Sequence, residues 1–443
     1  MTRRGIWYLV CLMTWGCSDQ KVDSNSSPPS TSEKTPIVDS VGVSAEPMET
    51  ESPAVVAVRN QSLQLAEVLS LEVERFTATL PESPRVADTT QRLKYAAAYT
   101  MGKRRSPWRA VQAKDFLALE EEMKAEKAAQ DPKASTLSPV LEERLKTAMK
   151  LTSSEDSFER SAAYELIDRT LRNLPNVDHR PYFIAHIPPY QLSERSDERF
   201  HQVEPFAQRP FARILPFLWH VALDDEDDAV RYQALVGLER WITDHPEAAN
   251  ADLIRAINAK WSDPVTQGGL FGLAGLAKVP EVLEWCRNAL DGQGNARSCR
   301  VGLSRLGSAP AFDVLYQWVV KRSEDKRLQG PNSYLFREDF AHLAPYADAP
   351  FARERYYTLF DKVLGQVRRS GYATGMIVRR SVALEDAPRA LEILRRYQNH
   401  YIGIWPPRLM KPDRKFLLDE FPKAIAALEA RTKRQVDGSQ PTK

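Results

Sequence analysis

The sequence predicts an all-α chain whose middle is a stacked array of paired helices. Three observations lead there. Apolar residues recur at helical spacing in the first stretch able to form a core: Leu63, Leu65, Val68, Leu69, Leu71, Val73 and Phe76. Three later segments share one form, an acidic or small polar start followed by small and large apolar residues at helical spacing. They begin at Asp227-Asp228-Ala229-Val230, Asp263-Pro264-Val265 and Asn295-Ala296-Arg297. The interval from Val230 to Val265 is 35 residues and Ala296 lies 31 further on, uneven periods that suit helix pairs sharing a core with their neighbours.

Taken in order, residues 17–60 are rich in Ser, Pro, Thr and Glu and read as a disordered tether. An N-terminal helical region is expected over 61–154. Its first helix ends before Pro81, a second runs from a cap at Asp88 through Tyr99 and Met101, and amphipathic helices follow over 108–128 and 137–149. Glu120, Glu121 and Glu122 with Lys124 and Lys127 read as a solvated face supported by i,i+4 pairs. The repeat region spans 155–325 and opens with Ser161-Ala162-Ala163-Tyr164, and second helices are expected over 280–289 and 309–320. Within it, residues 175–216 carry seven prolines interleaved with Tyr182, Phe183, Tyr190, Phe200, Phe206 and Phe211. Prolines that close together exclude long regular helices, so a packed loop crossing the helical surface is expected. Another break, 329–350, falls early in a C-terminal helical region over 326–434. Helices are expected there at 351–369, 387–398 and 412–434, with an aromatic-proline corner at 401–407 and a frayed tail from 435 to 443.

The repeat region resembles HEAT-type helical repeats. Asp228-x-x-Arg231-x-x-Ala234, followed by Leu235 and Leu238, carries the likeness. Asp263-Pro264-Val265 matches the turn but has Gln267 where arginine is frequent, and Asn295 replaces the turn aspartate in the third copy. The resemblance implies an alpha-solenoid offering a binding surface, without naming a ligand. An irregular helical-repeat array is the other reading.

The N-terminus has Arg3-Arg4, an apolar stretch from Gly5 to Trp15, then Gly16-Cys17. A cationic start, a short apolar core and a small residue make an export signal, and the core is shorter than the ~20 residues of a membrane span. It resembles bacterial lipoprotein signal peptides, with Thr14 where leucine is usual. That resemblance implies removal of residues 1–16, acylation of Cys17 with chains such as palmitate, and anchorage to a lipid bilayer of the bacterial cell envelope. Ser18 in place of an aspartate points to the outer membrane. A cleaved secretory signal without an anchor is the alternative.

A formal net charge of +2 gives no polybasic surface, so no nucleic-acid partner is expected. Beyond Cys11, lost with the signal, and Cys17, the cysteines are Cys286 and Cys299. They read either as a disulfide clipping a helical hairpin or as two buried thiols. No cofactor is expected. The sequence has no GxSxG and no P-loop, and Gly268, Gly269, Gly272 and Gly275 follow helical spacing suited to close packing. His179, His186, His201 and His220 with Asp178 lack the spacing of a zinc site, so no metal is expected. Asp224, Asp225, Glu226, Asp227 and Asp228 read as a helix cap and first turn rather than a calcium loop. Arg368-Arg369 and Arg379-Arg380 flank what reads as a solvated turn over 370–375.

Tyr182, Tyr190, Trp219, Trp241 and Trp405 are the candidate binding surface, because large amphipathic rings dominate interface energies. The expected function is therefore a membrane-tethered, non-catalytic binding or scaffold protein, with an envelope protein or peptidoglycan as partner. The alternatives are an envelope hydrolase built on His186, His201 and Asp224 beside the proline-rich stretch, and a mechanical spacer without a ligand.

Overall fold

The computed structural model describes residues 51–78, 131, 133–155, 157–172, 174–291, 295–324, 339–366, 371–404 and 411–436. Among these, every regular element is helical and no strand occurs. The helices expected over 88–101 and 108–128 lie outside the described residues.

Helix α1 (Pro53–Ala78) starts inside the stretch expected to be tether, because Val55 and Val58 already enter the core. Helices α2 (Pro139–Leu151) and α3 (Ser157–Arg172) form the first pair. Ser138 caps α2 by accepting from the Leu141 amide, and Pro139 occupies the first turn, where its missing N–H leaves no bond unmade. A four-residue turn α4 (Arg180–Phe183) and two 3₁₀ turns, Ile184–His186 and Pro188–Leu192, then lead into α5 (Ser196–Gln208). The expected loop crossing is thus corrected: the proline-rich stretch contains a 13-residue helix that takes a place in the stack.

The pairs α6 (Leu215–Asp224) with α7 (Asp228–Asp244), α8 (Ala251–Lys260) with α9 (Pro264–Leu276), and α10 (Val282–Asp291) with α11 (Ala296–Leu306) follow. After them come α12 (Ala309–Glu324), a short turn Ala344–Tyr346, α13 (Arg353–Gln366), α14 (Gly371–Ser381), α15 (Ala387–Ile404) and α16 (Lys411–Val436). Residues 401–404, expected as a corner, continue α15. Asp227, Asn250 and Asp263 cap α7, α8 and α9, each accepting from amides of the first turn. Gly307, at φ 74°, ends α11 in the left-handed conformation that glycine adopts without a steric penalty.

The second members of the pairs stack in one row: α3 on α5, α5 on α7, α7 on α9 and α9 on α11, with α14 on α16 further along. The first members form another row, in which α1 packs on α6 and α8, α10 on α12, and α13 on α15. Glycine sets the spacing of the second row. A β-carbon at Gly275 would overlap the Gly302 carbonyl oxygen, and one at Gly302 would overlap that of Phe271. The disulfide Cys286–Cys299 joins α10 to α11 inside the core, with Cα atoms 5.3 Å apart.

A polar rung crosses from each second helix to the turn of the following unit. Arg160 reaches Glu198 (2.6 and 3.1 Å) and Arg199 reaches Asp225 (2.8 and 3.2 Å). Arg231 reaches Asp263 (2.7 Å) and Thr266 (2.8 Å), and Arg300 pairs with Asp339 (2.5 Å). Between the last two, the rung is Asn295 donating to Gln267 at 2.9 Å. The two departures from the repeat pattern therefore meet, an amide pair replacing an ion pair. Tryptophans brace two rungs: Arg231 lies 3.8 Å over Trp261 and Arg300 lies 4.8 Å over Trp318. Each indole donates to a main-chain carbonyl of the preceding unit, Leu223 at 2.9 Å and Leu290 at 3.0 Å.

Gln267→Arg alone should destabilise the chain by roughly 1–3 kcal/mol, because it places an unpaired charge on a part-buried amide. Adding Asn295→Asp should recover most of that loss, so a double-mutant cycle in denaturant should show coupling of about 1–2 kcal/mol. Strict additivity would mean that the two side chains do not act as a rung.

Candidate functional site

The densest polar constellation forms where α6 ends and α7 begins. Asp224 closes α6 and accepts from Arg59 on α1 (2.6 and 2.5 Å), Lys260 at the end of α8 (2.9 Å) and His220 one turn back (3.1 Å). Burial alone would raise this carboxyl, but the hydrogen bonds from His220, Arg59 and Lys260 outweigh it and hold the group well below the usual carboxylate range. Its neighbour Asp225 is buried and accepts from Tyr190, Arg199 and the Asp227 amide, while its carbonyl accepts from Arg231 at 2.7 Å. Burial and the adjacent carboxylate push the Tyr190 hydroxyl upward, so it stays protonated and donates. The acidic run thus divides its labour: Asp227 caps α7, while Asp224 and Asp225 tie α1, α5, α6, α7, α8 and the Pro188–Leu192 turn together.

A second constellation lies beneath the proline-rich stretch. Pro205 sits inside α5 and supplies no N–H to the carbonyl of His201, four residues earlier. The buried imidazole of His186 lies against the main chain of His201 and Gln202, facing the helical carbonyl that proline leaves without its donor. Tyr164, Phe183 and Phe206 surround the ring at centroid distances of 4.8, 5.8 and 6.2 Å. Neither ring nitrogen makes a hydrogen bond of ordinary geometry. Burial pushes His186 down to about 3, so it is neutral at physiological pH. Beside it, Gln202 donates to the Tyr164 hydroxyl at 3.0 Å.

His186 titrates near 6.5 once unfolded, so its contribution is complete above that pH and is lost as the pH falls toward about 3. His342, lowered to about 3 by burial and then by Arg300, Arg380, Arg297 and Arg305, acts in the same direction. At pH 5 the His186 share is about 2 kcal/mol. His186→Leu should narrow the stability difference between pH 7 and pH 5, read from urea midpoints, by that amount. An unchanged difference would mean that the ring is not buried neutral.

Of the five aromatic residues expected to meet a partner, Tyr182, Tyr190 and Trp219 are buried in the core. The Tyr190 ring packs edge-on against Phe217 of α6 at 5.1 Å, and as folded the three offer little surface. Trp241 is half-buried and stacks on His245 at 4.1 Å. Trp405 and Cys17 lie outside the described residues. His186, His201 and Asp224 share no hydrogen bond; His201 stands 3.7 Å from Glu204 instead. Among the described residues, no group of three or more His, Cys, Asp or Glu side chains converges as a metal shell, and no helix is long and apolar enough to cross a membrane.

Of the segment expected to be a turn at 370–375, residues 371–375 instead begin α14, and Arg379 near its far end pairs with Glu420 (2.9 and 2.8 Å). A small, mostly apolar cleft beside it is lined by Phe340, Ala344, Tyr356, Met376, Ile377 and Arg380. Sequence reasoning passed over Arg160 and Arg199. Their signal was present in Ser157-Phe-Glu-Arg160 and Ser196-Asp-Glu-Arg199, which repeat the four-residue step of Asp228-Ala-Val-Arg231.

The fold defines a class: an all-α protein of stacked helix pairs whose buried ionisable groups link one pair to the next. No family model matches the chain, and a search of curated proteins finds no match.

Proposed function

We propose that this chain is a lipid-anchored, non-catalytic binding or scaffold protein of the bacterial cell envelope, built as a HEAT-like solenoid. One observation carries the reading: the run of rungs from Arg160 to Asp339, each placed near the start of a second helix and aimed at the next turn. Such a body presents an extended surface assembled from many units. The same rungs engage the carboxylates and guanidiniums that a buried reaction centre would need. The disulfide supports a compartment that is oxidising, as outside the cytoplasm. The lipoprotein-like start with Cys17 supplies the anchor, and two or more acyl chains would make it stable.

Two measurements test this. Cys17→Ala should move the chain from the membrane fraction to the soluble fraction, and unchanged membrane association would rule out acylation as the main tether. Affinity capture from solubilised envelope should recover the same partner, protein or peptidoglycan fragment, in replicate. Recovery of none would leave a spacer in place of a scaffold.

A further inference from the structure

The formal charge of +2 is the sum of two unlike parts. Residues 17–366 carry 43 Lys and Arg against 51 Asp and Glu, whereas residues 367–443 carry 16 against 8. An imbalance of that size between segments points to a membrane or another anionic partner for the basic one. Part of the excess lies on α16. This helix buries Phe421, Ala424, Ile425 and Leu428 and packs on α14 and α15. At 100° per residue, Asp419, Lys423, Ala426, Ala430, Lys433 and Arg434 fall within an arc of about 100° on the opposite side, and all six are exposed. The neighbouring carboxylates are already engaged, Glu420 by Arg379 and Glu429 by Arg395 at 2.6 Å. Arg434 donates to the main-chain carbonyl of Ala430 at 3.1 Å, and among the described residues Lys423 and Lys433 meet no carboxylate.

We propose that this outer face of α16 rests on an anionic lipid surface. Shape and charge select that occupant. Lys423 and Arg434 stand about 17 Å apart along one line of the helix, with Lys433 to one side and two alanines between. Three cations spread in that way make a flat array, which suits a plane of many headgroups better than one discrete ion. The acidic balance of residues 17–366 is repelled by the same surface, so charge turns this helix toward it.

Each Lys or Arg near an anionic membrane strengthens binding about fivefold. With Asp419 offsetting one of the three cations, the face gives a preference of about 25-fold over a neutral membrane. That is weak for a free protein and sufficient for one already tethered, because tethering raises the effective concentration. The choice of lipid over an acidic protein rests on the anchor proposed above, which keeps a bilayer within reach; the charge of the face does not.

The test uses the full chain carrying Cys17→Ala, which has no acyl chain at that position whether or not the wild type is a lipoprotein. Vesicles of phosphatidylcholine with about 40 % phosphatidylglycerol should bind it about tenfold or more above vesicles of phosphatidylcholine alone. Raising the salt from about 50 to 500 mM should remove most of that difference. Lys423→Gln, Lys433→Gln and Arg434→Gln together should reduce the preference about tenfold or more. The thermal midpoint of this triple variant should be unchanged, since all three positions are exposed. Arg255→Gln with Arg287→Gln, exposed cations on α8 and α10, should leave the preference within about twofold. No preference for anionic vesicles, a preference that the triple variant keeps, or one that both sets of substitutions reduce alike overturns the proposal. So does capture of an acidic envelope protein that the triple variant loses while its vesicle binding stays the same. If the wild type proves not to be acylated, the anchor falls, and the vesicle comparison still decides the face.

Discussion

Gly302→Ala is expected to destabilise the stack strongly, by about 3 kcal/mol, the upper end of what over-packing costs. The α9 and α11 backbones meet at this point, and the new methyl would overlap the carbonyl oxygen of Phe271. A flexible side chain could swing away; a helical carbonyl cannot, because moving it breaks the ladder it belongs to. Gly275→Ala meets the Gly302 carbonyl in the same way. Gly268→Ala is the control, since a β-carbon there would stand an ordinary 3.6 Å from the Ser298 hydroxyl. In a helix interior that change should be neutral or stabilising by up to about 1 kcal/mol. Equal chemical-denaturation midpoints for the Gly302 and Gly268 variants would sink the close-approach account.

Arg231→Ala should cost about 3 kcal/mol. The guanidinium is buried, and its loss leaves the Asp225 carbonyl without its donor, Asp263 without its partner across the rung, and Trp261 without the cation on its face. Arg231→Met keeps the apolar stem against the indole and should lose less. The damage should be local. Amide exchange should rise first at the start of α7 and α9, where the three partners lie, and later in α16, because neighbouring units couple most strongly. Uniform exchange along the chain would mean that the rung is not a link between units.

How far the sequence could be read follows from what each residue does. The starts of α7 and α9 were legible because an N-cap and helical apolar spacing leave a local pattern, and that of α11 through its apolar spacing, Asn295 being turned to Gln267 rather than to the helix amides. The glycines were legible too, since Gly268, Gly269, Gly272 and Gly275 recur at helical steps and serve packing. Helix α5 was missed because Pro205 normally argues against a helix interior, while the packing on α3 and α7 that holds it in the stack involves residues distant in the chain and leaves no local signal. The aromatic residues misled for a related reason. Tyr190 has a ring suited to a partner and a hydroxyl suited to Asp225, and only the fold chooses between them. The amide rung of Gln267 and Asn295 was read as two separate departures, since pairing across 28 residues cannot be seen one position at a time.

The disulfide between α10 and α11 has a mechanical corollary. A body fixed at one end and pulled from the other would yield one unit after another, because each is fastened mainly to its neighbours. When the unit holding Cys286 and Cys299 gives way, the 13-residue span between them stays closed. Stretched chain gains about 3.4 Å per residue, so extension falls short by roughly 40 Å until a reductant opens the bond. A force-extension trace recorded with and without reductant would locate this unit by that missing length.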